Sequence, residues 1–326
     1  MIYVLKFGGL SLLNENISDV IKTIVKYKNK GKVLVVVSAV GRDHAYSTDT
    51  LKNLAAFVTP EEKDLIVSTG EIISSVMLSN NLNKANIDSI ALSINRIKLK
   101  GEGVFGDASI KRANLSILKK ELKKKVVIVP GFIALKRNIP ITLGRGGSDL
   151  TAVYLGIKLK AKEIVFFKDI AGIYSGDPKL IDNPIYYPRV SYDTLSILGS
   201  NKIQLFQDKA TKILKKHRPS IVFTSIKEKS YVTKIINEYV PYKGIIVRRN
   251  AIRLLQYKDF HKDILLNRYI HNNKMIPKID FTDVNVKYYD LIIFINDKKV
   301  SQKIYKSSLT KEKITQIHDK FIKNML

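Results

Sequence analysis

Residues 143–149, LGRGGSD, set three glycines, an arginine and an aspartate between two apolar runs. Gly144, Gly146 and Gly147 can take backbone conformations that other residues resist, and they let a ligand approach the main chain. Arg145 carries a planar fork of N–H donors suited to a carboxylate or a phosphate. Ser148 is expected to cap the helix that follows, and a helix start favours anions. A capped turn accounts for the glycines alone, but it leaves Arg145 and Asp149 unexplained. Residues 5–11, LKFGGLS, make a second such place, with Lys6 ahead of Gly8 and Gly9. Neither stretch has the spacing of the G-x-x-x-x-G-K-[ST] loop or of G-x-G-x-x-G. VVSAVG (36–41) and STGE (68–71) add two further polar ends, and Glu71 is either an exposed helix-start glutamate or a charge in an apolar helix that meets a cation. The five histidines, His44, His217, His261, His271 and His318, show no metal-ligand spacing, so no metal ligands are assigned.

The elements that must position these residues alternate. VLVVVSAV (33–40), KVVIVPGF (125–132) and EIVFFKDIAGIY (163–174) are apolar runs of the kind that form strands covered on both faces. IYVLKF is a shorter one. Between them, residues 16–30, 61–82 and 148–160 carry apolar residues at spacings of three and four, which predicts helices. In the second of these the pattern runs through Leu65, Ile66, Ile72, Ile73 and Val76. Strand–helix alternation predicts an α/β fold with a mostly parallel central sheet sandwiched by helices. Beyond residues 224–242 the pattern changes. YKGIIVRRNAIRLLQY and VNVKYYDLIIFIN read as strands, and YKDFHKDILLNRYIH and KEKITQIHDKFIKNML as helices, which together predict a small α+β unit of conventional size.

Composition narrows the class. The chain has 326 residues, 45% of them hydrophobic, and no cysteine, which rules out disulfides and zinc–cysteine sites. No run is long enough to cross a membrane, and MIYVLKFGG has none of the features of a signal peptide. These point to a soluble, cytoplasmic protein. The net charge of +27 comes from lysines interleaved with isoleucine and asparagine along the whole chain. That is a compositional bias with solvated faces, not a nucleic-acid stripe.

KFGGLS, VVSAVG, STDTL, STGE, PGF, TLGRGGSDLTAV and KDIAGIYSGDPKL occur in one order over residues 2–224. That ordered set resembles the aspartokinases of the amino-acid kinase family. The resemblance implies an amino-acid kinase domain over 1–228 and a reduced ACT-like domain over 229–326. It implies ATP and Mg²⁺ as cofactors, L-aspartate as the substrate, 4-phospho-L-aspartate as the product and a homodimer as the assembly. The reaction would open lysine, threonine and methionine (diaminopimelate) biosynthesis. Carried over residue by residue, Lys6, Asp149 and Arg145 would be catalytic. Ser38, Thr48, Glu71, Arg145, Gly146, Gly147 and Ser148 would hold the amino acid. Lys6, Gly8, Gly9, Ser11, Lys168, Asp169, Tyr174, Ser175, Gly176, Asp177, Pro178 and Lys179 would hold ATP.

Several residues depart from the family pattern. Leu10 replaces a threonine, Lys168 a threonine and Lys179 an arginine. Gln204 stands where some members have lysine, so a second phosphate-facing lysine would be absent or would come from Lys202 or Lys209. The short C-terminal region leads to an expectation of weak or no feedback inhibition. A glutamate-type amino-acid kinase and an amino-acid-binding protein that has lost turnover are the alternative readings. A nucleic-acid binder, supported by charge alone, is a third.

Overall fold

The computed structural model describes residues 1–41, 44–200, 205–228, 230–242, 244–249, 288–295, 298–306 and 310–320. The elements run β1 (Ile2–Phe7), α1 (Ile17–Lys28), β2 (Lys32–Val37), α2 (Thr48–Leu54), α3 (Pro60–Lys84), β3 (Ser89–Ala91), α4 (Ile94–Ile97), β4 (Lys100–Glu102), β5 (Ser109–Arg112) and α5 (Leu115–Glu121). They continue with β6 (Val126–Pro130), β7 (Ile133–Lys136), β8 (Ile139–Thr142), α6 (Gly147–Lys158), β9 (Glu163–Phe167), β10 (Ile173–Tyr174), β11 (Tyr186–Tyr187), β12 (Arg189–Ser191), α7 (Tyr192–Ser200), α8 (Asp208–His217), β13 (Ile221–Thr224) and β14 (Thr233–Ile236). The strands β15 (Gly244–Arg249), β16 (Tyr288–Ile295) and β17 (Lys298–Lys306) and a helix at Lys311–His318 follow. The expected helix over 257–271 lies outside the described residues.

Eight strands form the central sheet in the order β12-β14-β13-β9-β1-β2-β6-β3. Every pairing in it that involves β1, β2, β6 or β9 is parallel, and β13 runs antiparallel to β14. The strands are continuous apolar runs because helices cover both faces. Leu5, Phe7, Val33, Val35, Val37 and Ile128 pack with Val20 and Ile24 of α1 and with Leu78 and Leu82 of α3. The alternate residues face α6, where Gly156 leaves room for Ile164 and Val4: a Cβ on it would stand 2.4 Å from Ile164 Cδ1. Strand alternation therefore puts Lys6 on the α6 side with Val4. A four-stranded sheet, β5-β4-β7-β8, accompanies the central one.

The long helix α3 starts where its sequence says it should. Thr59 and Glu62 form a reciprocal capping box, and Pro60 occupies the first turn. Its inward face differs from the apolar pattern in the sequence. Asp64, Ser68, Gly70, Glu71, Ser74, Ser75 and Ser79 are buried, while Leu65, Ile72 and Val76 are exposed. Small residues let this helix approach its neighbours closely: a Cβ on Gly70 would lie 2.6 Å from the Tyr46 carbonyl oxygen.

The chain groups into two compact units, residues 1–173 with 188–239, and residues 174–187 with 240–326. The division differs from a single cut at 228/229, because 174–187 groups with the C-terminal residues. In the second unit β15, β16 and β17 form an antiparallel sheet.

Candidate active site

The C-terminal ends of β9, β1 and β2 lie side by side, and a cavity of about 290 Å³ opens there. Ligands of open parallel sheets bind at such strand ends. Lys6, Gly8, Gly9 and Leu10 enter from β1, Ser38, Ala39 and Gly41 from β2, and Phe167, Lys168 and Asp169 from β9. Ser47, Thr48 and Asp49 close it from the start of α2, which Ser47 caps by accepting from Thr50 N. Gly9 has to be glycine, since a Cβ there would stand 2.3 Å from the Ala39 carbonyl oxygen.

α6 delivers an acid to this place. Gly146 is its N-cap, with φ of 83°, a left-handed conformation that glycine adopts without strain. Ser148, expected to be the cap, is instead inside the first turn. Its Cβ and Cα sit so close to Gly131 that a Cβ on that glycine would be 2.6 Å from Ser148 Cβ. The positive φ at Gly146 starts the helix early and turns Ser148 inward. Asp149 follows in the same turn, and its Oδ1 lies 2.8 Å from Lys6 Nζ. Its Oδ2 accepts from Lys168 Nζ at 2.5 Å. Lys6 and Asp149 are buried. Lys168 also lies 5.6 Å over the Phe206 ring and donates to the Leu205 carbonyl at 3.3 Å.

Burial alone would push the Asp149 carboxyl up, but the Lys168 and Lys6 ammoniums outweigh it and hold the group below the usual carboxylate range. Burial pushes the Lys168 ammonium down, Asp149 opposes that and Lys6 adds to it. Two ammoniums share one carboxylate, so the cluster keeps one positive charge in a poorly solvated place. Such a cluster is completed by an anion.

Glu71 is the second buried acid. Its Oε1 accepts from Ala39 N at 3.1 Å, and its Oε2 has no hydrogen-bond partner among the described residues. Burial pushes its carboxyl up to about 8, with the Ala39 N–H and the charges of Lys6 and Lys52 only partly opposing. A cationic ligand beside Oε2 would complete it.

The structure brings Lys6, Gly8, Gly9, Ser38, Thr48, Lys168 and Asp169 together around the cavity. Glu71 lies directly behind Ala39. Arg145 is exposed, and Gly147 is buried, with its N–H donating to the Gly144 carbonyl. Ser11 does not line the cavity; it is buried and its N–H closes the turn onto the Gly8 carbonyl at 3.1 Å. Tyr174, Ser175, Gly176, Asp177, Pro178 and Lys179 fall in the second unit from Tyr174 onward. There Asp177 Oδ1 accepts from Lys179 N at 2.9 Å. Lys209 is committed elsewhere: its Nζ holds Asp107 Oδ1 and the Asp107 and Ala108 carbonyls. Lys202 and Gln204 lie outside the described residues.

Sequence reasoning missed Asp64. Its carboxylate accepts from Thr142 N (2.7 Å), Thr142 Oγ1 (2.8 Å) and Gly106 N (2.9 Å), and so ties α3 to the end of β8. The available signal was its position seven residues before Glu71, on the same helix face.

Residues 1–225 match the Amino acid kinase family. The chain is 32% identical over 253 residues to "Aspartokinase 2" of Bacillus subtilis, covering 75% of this chain and 61% of that protein. The chain thus spans about three fifths of that relative's length. The solved aspartate kinase of Synechocystis superposes with a TM-score of 0.62 at 27% identity, covering 74% of this chain and 40% of that one. Escherichia coli aspartokinase III superposes with a TM-score of 0.72 over 98% of this chain and 99% of that one; at 16% identity, this is a likeness of fold.

Proposed function

The chain belongs to the amino acid kinase family, and from that premise we propose that it transfers the γ-phosphoryl group of ATP to the side-chain carboxylate of L-aspartate. The observation that carries this reading is the pair of lysines, Lys6 and Lys168, on the single buried carboxylate of Asp149. An aspartate side chain has a free pKa of about 3.9 and is an ionised nucleophile at neutral pH. No general base is needed; the obstacle is the meeting of two anions. Lys6 and Lys168 face the phosphoryl oxygens and offset the charge that builds on them during transfer. Asp149 holds both ammoniums in place. Gly8 and Gly9 bring main-chain N–H groups to the phosphates. Arg145 clamps the α-carboxylate, and Glu71 Oε2 takes the α-ammonium, with Ser38, Thr48, Gly146, Gly147 and Ser148 shaping the pocket. Asp169, at the end of β9 on the same cavity, contacts the nucleotide.

Mg²⁺ fits the donor set, because Asp49 and Asp169 are exposed carboxylates lining the cavity and this ion needs only one or two carboxylates beside waters and phosphates. When bound with ATP it supplies charge neutralisation at the phosphate oxygens. The domain division is read as a kinase domain followed by an ACT-like unit, and the assembly as a cytoplasmic homodimer. The outward row Leu65, Ile72 and Val76 on α3 supports self-association, which light scattering tests.

The deciding experiment traps the acyl phosphate as its hydroxamate, with MgATP and L-aspartate, and with L-glutamate and no acceptor as parallel arms. Aspartate-dependent hydroxamate is the expected result. Turnover on glutamate alone would reassign the substrate. Aspartate binding without turnover would make the protein an amino-acid sensor, with Leu10 at the cavity wall the first residue to revert.

A further inference from the structure

The two lysines on Asp149 reach it by different routes. Lys6 projects from within β1, is buried, and stands in register with Phe166 of β9. Lys168 lies just past the end of β9 and lines the cavity. Its N–H is fixed to the Thr224 carbonyl at 2.9 Å, so its backbone is held. Its side chain is long, flexible and half-buried, and Asp149 alone would leave it free to swing about one contact.

Phe166, Phe206 and Phe223 supply the rest. All three are buried. Phe223 of β13 stands in register with Phe166, with ring centroids 5.7 Å apart. Phe206 lies 4.8 Å from Phe166, edge to face, and 5.3 Å from Phe223. Lys168 Nζ sits 5.7 Å from the Phe166 centroid and 5.6 Å from that of Phe206, within the range of cation–π attraction. The residue before Phe206 adds a dipole: the Leu205 carbonyl accepts from Nζ at 3.3 Å. Leu205 and Phe206 lead into Gln207, the N-cap of α8.

Core packing accounts for three phenylalanines in contact. It does not account for an ammonium over two of their rings at the edge of a cavity. The choice of neutral groups matters. Burial and Lys6 push the Lys168 ammonium toward losing its proton, and Asp149 and Asp169 oppose them. A further carboxylate would steady the ammonium but would cancel the surplus positive charge of the cluster. Ring faces and a carbonyl attract a cation and leave its charge in place for an anion.

We propose that Phe206 is a positioning residue for phosphoryl transfer, which with the Leu205 carbonyl holds the Lys168 ammonium at the cavity without neutralising it. This rests on the reading of Lys168 as a phosphate-facing cation.

The test is a double-mutant cycle in the full chain. Phe206→Leu keeps apolar burial and removes the ring, Lys168→Met removes the cation, and the third variant carries both changes. Each is measured for kcat with L-aspartate and for the Kd of MgATP without aspartate, by calorimetry. Phe206→Leu should lower kcat and weaken MgATP roughly three- to tenfold, with the aspartate KM within twofold of the parent. In the Lys168→Met background the same substitution should change either quantity by less than twofold. Phe206→Tyr, which keeps a ring face over Nζ, should stay within twofold of the parent. If Phe206→Leu fails to fold, Phe206→Met carries the same cycle. Equal losses in both backgrounds would make Phe206 a core residue only and overturn the proposal, as would a Phe206→Leu protein with parental kcat and Kd. The Kd arm reads the ring's effect whichever amino acid is the acceptor, while hydroxamate formation by the unmodified chain reads the reaction. An unmodified chain that does not bind MgATP would overturn both the kinase reading and this inference.

Discussion

Two buried carboxylates approach the strand ends from opposite faces of the sheet, and the protein treats them in opposite ways. Asp149, at the start of α6, is given two ammoniums, and they hold it ionised. Glu71, in the middle of α3, is given one backbone N–H and an orphaned oxygen, and burial raises its carboxyl to about 8. An uncompensated buried charge costs several kcal/mol, so ionising Glu71 is costly until a cation stands beside Oε2. On the proposed reading, the place for the phosphates carries surplus cations of its own, and the place for the α-ammonium withholds one. The same chemical group thus organises one region and waits in the other.

Removing the organising acid should do the most damage. Asp149→Asn leaves the buried Lys6 ammonium and the half-buried Lys168 ammonium facing each other. It should lower kcat on the order of 10³-fold and stability by about 3 kcal/mol, read by ADP release and urea denaturation. A kcat within fivefold of the parent would erase the contrast. Glu71→Gln should behave differently, raising the aspartate KM roughly 10- to 100-fold, as expected for a lost charged hydrogen bond, with kcat nearly unchanged. Its unfolding midpoint should not fall, because the substitution removes a buried group that lacks its counter-ion. A lower midpoint with normal aspartate binding would make Glu71 a structural acid like Asp149.

The pH dependence sharpens the same point. Aspartate binding selects the ionised form of Glu71, so its KM should fall roughly tenfold between pH 6 and pH 7, and less above that. Glu71→Gln should flatten this profile. The folded group has a pKa above its unfolded value, so the stability it contributes is complete below about pH 4.5 and is lost as pH rises through about 8. Calorimetry in two buffers should register proton uptake by buffer when aspartate binds near pH 7. The smallest effect belongs to a lysine outside the contrast. Lys209→Met should change kcat and both KM values by less than about threefold, because an exposed-side ion pair is worth at most about 1 kcal/mol and Lys209 already serves the Asp107 loop. A large loss of kcat would instead make Lys209 a phosphate-facing cation.

The short strands β3, β4, β5 and β7 and the helices α2 and α4 carry no periodic signal in the sequence. The strands β1, β2, β6 and β9 and the helices α1, α3 and α6 could be read from it, since continuous apolar runs and three-four spacing are local signals. So could Lys6, Gly8, Gly9 and Asp149, because glycine clusters with flanking charges are unusual. The partner of Lys168 could not be read. A lysine after a strand looks solvated until strand alternation and the turn at Gly146 bring Asp149 to it. Ser148 reads as the cap because its hydroxyl suits the role, but the left-handed conformation of Gly146 starts the helix two residues earlier. The inward face of α3 was hidden for a related reason: burial there is set by close approach, which favours serine and glycine, and not by aliphatic periodicity. The link from Ser175 to His318 joins residues 143 apart in sequence, beyond the reach of any local pattern.

On α3, Asp64 grips the end of β8 and Glu71 faces the strand ends, seven residues further on. Seven residues are two turns and about 10 Å, so the helix works as a ruler between the two carboxylates. A ruler tolerates repainting but not a change of length. Inserting or deleting one residue between them would swing Glu71 by about 100° around the axis; a deletion would bring Ile72, and an insertion Gly70, into the space that Glu71 holds. In this stretch, then, the spacing of the residues is under tighter constraint than their hydrophobicity. A library allowing substitutions but no length changes between Asp64 and Glu71 should retain folded members, and its single-residue deletions should not.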